Sequence, residues 1–599
     1  MKSNENIEHK RHTLAHLLAS AVLEIYPDTK NTIGPAIDNG FYYDFEFKSA
    51  ISDADLKEIQ TKMKKLLNTW EIFEKIEVSA DQAKAIFASN PYKIELVNEI
   101  IAKNEPISVY YSGLKNSIPS IADLLATSHL PLATGFFDLC RGGHLENPKK
   151  EIDTDSFKLT RLAGAYWRGN EKNKMLTRIY GLAFDTKEEL VAYEKNQEEA
   201  KKRDHRKIGK ELDLFTISEL VGSGLPLFTP KGSVLRDVLG SYSQELQAEC
   251  GFQRVWTPHM ARTELYKHSG HYDKYPERFE VTSAESSDVF MLKPMNCPHH
   301  AQLFARKPWS YKELPVKYME NTTNYRDEKH GELHGLSRVR ALSQDDGHIF
   351  CQEIHIEEEI RNLIHMIKQL YTALKLDYKV RMSFRDGSDK FLGDKEMWVR
   401  AENILNKLVK EENLETVPGP GEAAFYGPKL DYLVYDALGR EWQCATIQLD
   451  FVQPERFGLS YVDSDGKEKR PVMIHKALLG SLERFISIYI EHTAGNFPLW
   501  LSPVQIKVIP IGEEEVSYAE KFYKLLRENN IRAEIDKSND SFGKKVRSAK
   551  TDKVPYFAVI GKKEIESGAV TLESRNGSLG AMPKEEILKK LLEEIKNRV

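Results

Sequence analysis

Between Met319 and Cys351 the chain reads MENTTNYRDEKHGELHGLSRVRALSQDDGHIFC, which scans as a strand, a loop and a second strand. If the second strand stays extended, Arg338, Arg340, Leu342, Gln344, Asp346 and His348 fall on one face. Two arginines, an amide, a carboxylate and an imidazole are poor material for a core. They suit a site that grips an anion through guanidinium forks at one end. At the other end a carboxylate can hold an ammonium or hydroxyl. The plainer reading is an exposed strand with a solvated polar face, and a bulge over Asp345–Gly347 would break the alternation.

A second set lies near the N-terminus. HKRHTLAHLLASAVLEIY places Leu14, Leu17, Leu18, Ala21, Val22 and Ile25 on one helical stripe, with His9, His12 and His16 opposite. Those histidines stand off the core of their own helix unless a second layer covers them. Cys140 and His144 in CRGGH repeat the four-residue spacing of His12 and His16. Read alone, two His with a Cys–His pair suggest zinc.

The 599 residues exceed one core, so three or four domains must position these groups. The net charge of −5 assigns any nucleic-acid contact to local basic patches. Five scattered cysteines argue for a reducing compartment and against a disulfide framework. The N-terminus has no apolar signal core and no run of about 18 apolar residues occurs, so a cytoplasmic protein without a membrane span is expected. KEELVAYEKNQEEAKKRDHRKIGKEL is polar and without Pro or Gly until Gly209, and predicts one long solvated helix as a linker. Its basic end, Lys201 to Lys210, is either a solvated connector or an RNA-facing surface. After Pro503 the pattern alternates strand and helix to the end. No P-loop occurs, so an ATP site here is not of the Walker type.

Three segments in order carry a resemblance. GSVLRDVLGSYSQELQAECGFQRVWTPHM reads as a helix and a short strand, the strand–loop–strand follows, and PVMIHKALLGSLERFISIYIEH reads as a strand entering an apolar helix. They resemble motifs 1, 2 and 3 of class II aminoacyl-tRNA synthetases. MNCPHH, SQDDGHIFC, AFYGPKLDY, VMIHKALLGS, HTLAHLL, DLCRGGH and AGAYWRG narrow the resemblance to the threonyl family, over nearly the whole chain. It implies a multidomain α+β protein. An N-terminal α+β editing domain (1–185) and a linker helix (186–206) precede a catalytic domain with an antiparallel sheet flanked by helices (207–500). An α/β anticodon-binding domain (501–599) ends the chain.

The resemblance also implies roles. Arg326 would hold the ATP α-phosphate and the amino-acid carboxylate, Glu328 the adenine amino group, Arg338 the outer phosphates, and Arg484 one adenine face. Cys297, His348 and His475 would bind one Zn2+ per subunit, leaving it an open position for substrate. Asp346 would take the threonine hydroxyl, and Gln344, Met295 and Tyr426 would shape the pocket, with Lys429 and Gln443 as further contacts. ATP and Mg2+ would complete the activation site. His12, His16, Cys140 and His144, helped by Asp138 and Lys93, would hydrolyse seryl-tRNA by positioning water without a firmly held metal. Glu564 would contact the anticodon of tRNA(Thr), and motif 1 implies a homodimer.

The sequence departs from the family pattern in places. Leu342 stands where an aromatic commonly stacks on adenine, implying a modest loss of ATP affinity. Gly143 stands where Pro is common, implying a looser turn before His144. An expected arginine near position 573 is Glu573, with Arg575 two residues on. FGKKVRSAK offers Lys544, Lys545, Arg547 and Lys550 either to the RNA backbone or to solvent. Many bacterial members carry a ubiquitin-like domain before the editing helix at which this sequence starts. A seryl or prolyl synthetase is opposed by the Cys297/His348/His475 set and the editing helix. An RNA-binding regulator should lack the arginines present here at 326 and 484.

Overall fold

Helix α1 (Lys2–Ile25) carries the first histidines, and Leu14, Leu17, Leu18, Ala21 and Val22 are fully buried along it. In this computed structural model residues 2–126, 135–388 and 390–599 are described, and the chain divides into two units, Met1–Glu198 and Glu199–Val599.

In the first unit the apolar stripe of α1 packs on β1 (Gly40–Glu46) and α2 (Leu56–Leu67), sharing one core with Phe41, Phe45, Ile59 and Met63. Its other face is covered too. Strand β2 (Ile72–Val78), helix α3 (Pro91–Ala102), and strands β3 (Ile107–Gly113) and β4 (Gly135–Leu139) form a second layer, with the strands in the order β2-β3-β4. Phe73 and Phe136 of this layer pack edge-on against His16, so His16 is a buried histidine, not one standing off the core. Alternation along β4 then divides its residues: Phe137 packs with Val97 of α3, while Phe136 and Asp138 face the other way. Strands β5 (Phe157–Tyr166) and β6 (Met175–Ala183) extend the sheet of β1 in the order β1-β6-β5.

The linker is not one helix. Helix α4 (Lys187–Arg203) stops where Asp204, in non-helical backbone, accepts the amide of Arg206 and caps a new helix, α5 (His205–Glu211). The boundary between the two units falls inside α4.

In the second unit α6 (Pro230–Glu249) begins with Thr229 as cap and Pro230 in the first turn. It is followed by β7 (Gln253–Arg254), α7 (Cys297–Ala305), β8 (Val316–Tyr325), β9 (Ala341–Cys351), α8 (Ile356–Leu374), β10 (Asp377–Phe384), β11 (Thr416–Pro420), β12 (Lys429–Tyr435), β13 (Glu441–Asp450), β14 (Val472–Ser481) and α9 (Leu482–Thr493). The eight strands form one sheet in the order β7-β8-β9-β14-β13-β12-β10-β11, antiparallel except for the pairs β7/β8 and β10/β11. Ile360, Leu363, Ile367, Leu370 and Leu374 repeat at helical spacing on α8 and pack with Ile474, Leu478 and Ile447 of the sheet. One face of the sheet is thereby closed, and the site residues occupy strands whose backs are held rigidly.

The last domain contains β15 (Ile506–Pro510), α10 (Val516–Glu528), β16 (Ala533–Ile535), α11 (Phe542–Thr551), β17 (Tyr556–Ile560), β18 (Ala569–Ser574), β19 (Gly577–Pro583) and α12 (Lys584–Asn597). Its sheet runs β16-β15-β17-β18-β19, with the first three strands parallel. Lys545 is buried and donates to the carbonyls of Pro510 and Asp536, so it does not join Lys544, Arg547 and Lys550 on the surface of α11. Arg575 donates to the carbonyls of Phe497 and Lys553, which makes it a packing residue and not a free RNA contact. No helix among the described residues is long and apolar enough to cross a membrane.

Candidate functional site

A cavity of about 440 Å3 opens over the middle of the large sheet, lined by Met295, Cys297, Arg326, Gln344, Asp346, His348, Tyr426, Lys429 and His475. The long polar strand face predicted from residue 338 is shorter than expected. β9 begins at Ala341, and Arg338 and Arg340 lie in the loop before it. Against β8 the register is unbroken, with Asn324, Thr322, Glu320 and Tyr318 opposite Leu342, Gln344, Asp346 and His348, so the alternation holds over these four. Against β14 the register shifts between Gln344 and Asp346. Asp345 then turns to the back of the sheet. Its carboxylate accepts the amides of Leu478 and Leu479 at 3.1 Å and the hydroxyl of Ser243 at 2.6 Å.

Cys297 opens α7, and His348 and His475 are directly paired across β9 and β14. Their Sγ and ring nitrogens lie within 4.8 Å of one another, and all three side chains are buried. His475 Nε2 meets Asp450 Oδ2 at 2.8 Å, which leaves Nδ1 facing His348 Nε2 at 3.0 Å. His348 Nδ1 in turn meets His300 Nδ1 at 2.8 Å. Orienting partners behind each imidazole and a thiol beside them are a donor set that fits Zn2+. Burial drives the His348 imidazole well below its usual range, which keeps it in the ligating neutral form. Burial also raises the Cys297 thiol, a shift that a bound cation reverses.

Around this set, Tyr426 stacks on the His475 ring at 4.9 Å and donates to Gln448 at 2.7 Å. Asn324 donates to Gln344 at 2.5 Å, and Lys429 pairs with Asp431 at 2.8 Å. Asp346 lies 4.0 Å from His348 Nε2. Arg326 stands at the end of β8 with its guanidinium 5.5 Å over the Tyr275 ring, and its Nε is buried without a hydrogen-bond partner. A cation in that state is prepared for an anion.

Four predicted residues are not in the cavity wall. Gln443 accepts from Arg381 at 2.6 Å. Arg338 bridges Glu328 and Glu332, both at 2.7 Å, so Glu328 and Arg338 satisfy each other here. Arg484 is exposed in the first turn of α9, 5.8 Å from the Trp442 ring. In the last domain Glu564 is committed to the amide of Gly561 and the hydroxyl of Thr571.

Sequence reasoning missed Tyr275 and Lys476 in the wall of this cavity, and His271 behind Cys297. His271 Nε2 lies 3.7 Å from Cys297 Sγ, and burial lowers it to about 3. Lys476 is buried, donates to the Asp345 carbonyl at 2.8 Å and to Gln247, and is pushed down to about 8 by burial. Lys476 follows His475 directly and His271 lies three residues after His268, but neither spacing says which partner across the fold the side chain meets.

A second cavity, of about 450 Å3, lies in the first unit and is lined by His12, His16, Tyr43, Lys93, Asp138 and Cys140. Cys140 Sγ is 3.2 Å from His144 Nε2 and 3.6 Å from His12 Nε2, and the His12 and His144 rings stack at 4.2 Å. The four ligand-type atoms of His12, His16, Cys140 and His144 also lie within 4.8 Å. Lys93, placed by the Asn90 cap of α3, pairs with Asp138 at 2.5 Å. The residue missed here is Tyr43, whose hydroxyl donates to Asp138 at 2.5 Å and accepts from Lys93 and Asn31. Gly143 has φ +83° after Gly142 at +109°. The turn before His144 therefore uses backbone closed to proline, a specific path where the sequence implied looseness.

Burial lowers His144 to about 2, and lowers His12 and His16, while the Cys140 thiol rises to about 11. The cluster is neutral at pH 7. An unfolded histidine takes its proton near pH 6.5 and the folded His144 does not until about pH 2. Stability is therefore intact above pH 6.5 and falls as the pH drops through that window, by about 1.4 kcal/mol per pH unit for each such group. Thermal melts should show a transition that descends between pH 6.5 and 5, with a shallower slope in His144→Asn. Equal slopes in the two proteins would remove His144 from this account.

Comparison with known proteins follows the same division. Residues 278–493 match the class II core domain of tRNA synthetases (G, H, P, S and T), 505–594 an anticodon binding domain, and 132–180 the second additional domain of threonyl and alanyl tRNA synthetases. The chain is 44% identical to a threonine–tRNA ligase of Rubrobacter xylanophilus, spanning 100% of this chain and 90% of that protein. It is 45% identical to one of Thermus thermophilus, with 98% and 88% covered. Among solved structures, the RNA binding domain of threonyl-tRNA synthetase from Cryptosporidium parvum superposes with a TM-score of 0.63 at 35% identity, over 65% of this chain and 98% of that one. A prolyl-tRNA synthetase of Giardia lamblia, at TM-score 0.54 and 17% identity over 67% of this chain and 80% of its own, shares the fold alone.

Proposed function

The chain belongs to the threonine–tRNA ligase family of class II aminoacyl-tRNA synthetases, and on that premise we propose that its two cavities make and correct threonyl-tRNA(Thr). Residues 207–500 would carry the synthesis, 1–185 the correction, 186–206 the linker, and 501–599 the anticodon contact, with Glu564 shaping that surface. In the first step the L-threonine carboxylate attacks the α-phosphorus of ATP and the bridging P–O bond breaks, releasing diphosphate. In the second a ribose hydroxyl of the tRNA 3′ end attacks the carbonyl, and AMP leaves. Neither step needs a covalent protein intermediate, so positioning and charge stabilisation carry the rate.

Arg326 would neutralise the α-phosphate, with Mg2+ on the outer phosphates. Glu328 and Arg338 would exchange their mutual pairing for adenine and phosphate, and Arg484 would cover one adenine face. Leu342 then supplies apolar contact in place of an aromatic ring. Cys297, His348 and His475 would hold one Zn2+, which when bound supplies open coordination positions for the amino and hydroxyl groups of threonine. Asp346 would accept the hydroxyl proton, and Gln344, Met295, Tyr426 and Lys429 would close around the side chain. The observation that carries this reading is the convergence of Cys297, His348, His475, Asp346 and Arg326 on one cavity. Pyrophosphate exchange with threonine, serine and valine tests it. Strong threonine, weaker serine and negligible valine exchange are expected. A folded, zinc-loaded protein without threonine-dependent exchange would end the reading.

Serine keeps the hydroxyl and lacks only a methyl, a difference worth about 1–3 kcal/mol, so a correcting site is needed. Three neutral imidazoles and a thiol beside the Lys93–Asp138–Tyr43 network support water positioning and hydroxyl recognition on seryl-tRNA. The four-donor geometry supports a second reading as a metal site. Metal analysis separates them: one zinc per chain favours water positioning, two favour the metal.

Five unpaired cysteines support a reducing, cytoplasmic setting. The homodimer is supported by Trp256 and Met260, both exposed within motif 1. Trp256→Glu should convert a dimer to a monomer in light scattering at micromolar concentration. A monomeric wild type at that concentration would count against the dimer.

A further inference from the structure

We propose that His205 is a positioning residue for ATP binding, because it pins the motif 2 loop between β8 and β9 to the end of the linker. The inference rests on the reading of that loop as the ATP-binding element. His205 opens α5, and its side chain is 1% exposed. Its Nε2 accepts the backbone amide of Leu336 at 3.1 Å. An amide N–H only donates, so Nε2 carries the lone pair and the proton of the neutral ring sits on Nδ1. Nδ1 donates to Glu491 Oε1 at 2.7 Å, an oxygen that also accepts the His205 amide at 3.1 Å. The other Glu491 oxygen takes Arg440 at 2.5 Å, and Arg440 is fixed by Asp436 at 2.7 Å. Arg203 closes the arrangement by donating to the carbonyl of His492 at 3.0 Å, at the end of α9.

The loop is fitted to this ring. A Cβ on Gly335 would lie 2.1 Å from His205 Nε2, and Gly335 has φ +51°. Leu336, the next residue, is fully buried. The pinned amide is two residues from Arg338, which itself holds Glu328. Asp204, His205 and Glu491 have metal-type spacing, but both ring nitrogens are engaged and Asp204 is forked by Arg206. The geometry is that of a pin. The motif 3 helix, the motif 2 loop and the last turn of the linker meet at one imidazole.

Histidine supplies opposite functions at its two nitrogens, and two amides separate them. His205→Asn keeps a donor near Glu491 and loses the acceptor for Leu336. His205→Gln keeps an acceptor near Leu336 and loses the short bond to Glu491. In threonine-dependent pyrophosphate exchange with the full chain, His205→Asn should raise KM for ATP about fivefold, the loss of one hydrogen bond, with KM for threonine unmoved. Amide hydrogen exchange should quicken over residues 330–340. His205→Gln should keep the wild-type KM for ATP. Gly335→Ala, which drives a methyl into the ring from the loop side, should repeat the Asn phenotype and stands in for it if His205→Asn does not fold. An unchanged KM for ATP in folded His205→Asn and Gly335→Ala, or equal increases in both KM values, would overturn the proposal. A wild type without threonine-dependent exchange would instead strike the functional reading, while loop amide exchange still decides whether His205 pins the loop.

Discussion

Arg326→Ala should lower threonine-dependent pyrophosphate exchange by about 10²–10³-fold while leaving the melting temperature where it is. The two halves of this expectation have one cause. Arg326 sits in the cavity wall with its Nε buried and unpartnered, and its main interaction is with the face of Tyr275. A guanidinium in that state contributes little to folding, since no carboxylate is left unpaired when it goes. In the reaction, charge develops on the oxygens around the α-phosphorus, and a fixed cation there acts on the transition state more than on the ground state. The loss should therefore fall on kcat more than on KM for ATP. Arg326→Lys should recover little, because a point charge on a flexible stem does not reproduce a planar fork. A variant that exchanges within threefold of wild type would remove Arg326 from the phosphate site.

The residues legible in the sequence were those on regular elements with a visible period. Gln344, Asp346 and His348 alternate along β9, and their common face survives because the pairing with β8 is unbroken. Arg338 and Arg340 carried the same alternation but lie in a loop, where backbone direction is set by the Glu328 and Glu332 pairs and by His205. His16 was placed correctly opposite the apolar stripe and still proved buried, because amphipathicity reports one neighbour and a second layer reports nothing. The linker helix ended early for a local reason that was in the sequence, the Asp204 cap. Lys476, Tyr43 and His271 were illegible. Lys476 meets Gln247 and Asp345, Tyr43 meets Lys93 and Asp138, and His271 meets Cys297, all across the fold, and no periodicity encodes such pairings. Cys297, His348 and His475 were grouped only through resemblance, since about 180 residues separate the first from the last.

The second large effect concerns discrimination. Cys297→Ala should reduce bound zinc from about one per chain to near zero, and the preference for threonine over valine should collapse from about 10⁴–10⁵ to about 10² or less. Valine matches threonine in shape, so the cavity walls cannot separate them. Only a demand for the hydroxyl can, and the candidate groups for that demand are the Cys297/His348/His475 set and Asp346. Removing Cys297 leaves His348 and His475 facing each other at 3.0 Å with two ligands where a stable site needs three. Asp346→Asn separates the two contributions. It leaves the three proposed ligands in place, so zinc should stay, while the proposed acceptor for the hydroxyl proton is lost and selectivity should fall. Retention of both zinc and the threonine preference in Cys297→Ala would place the metal elsewhere. Loss of zinc with the preference intact would assign hydroxyl recognition to Asp346 and its neighbours alone. Either result changes which atoms of this cavity read the substrate.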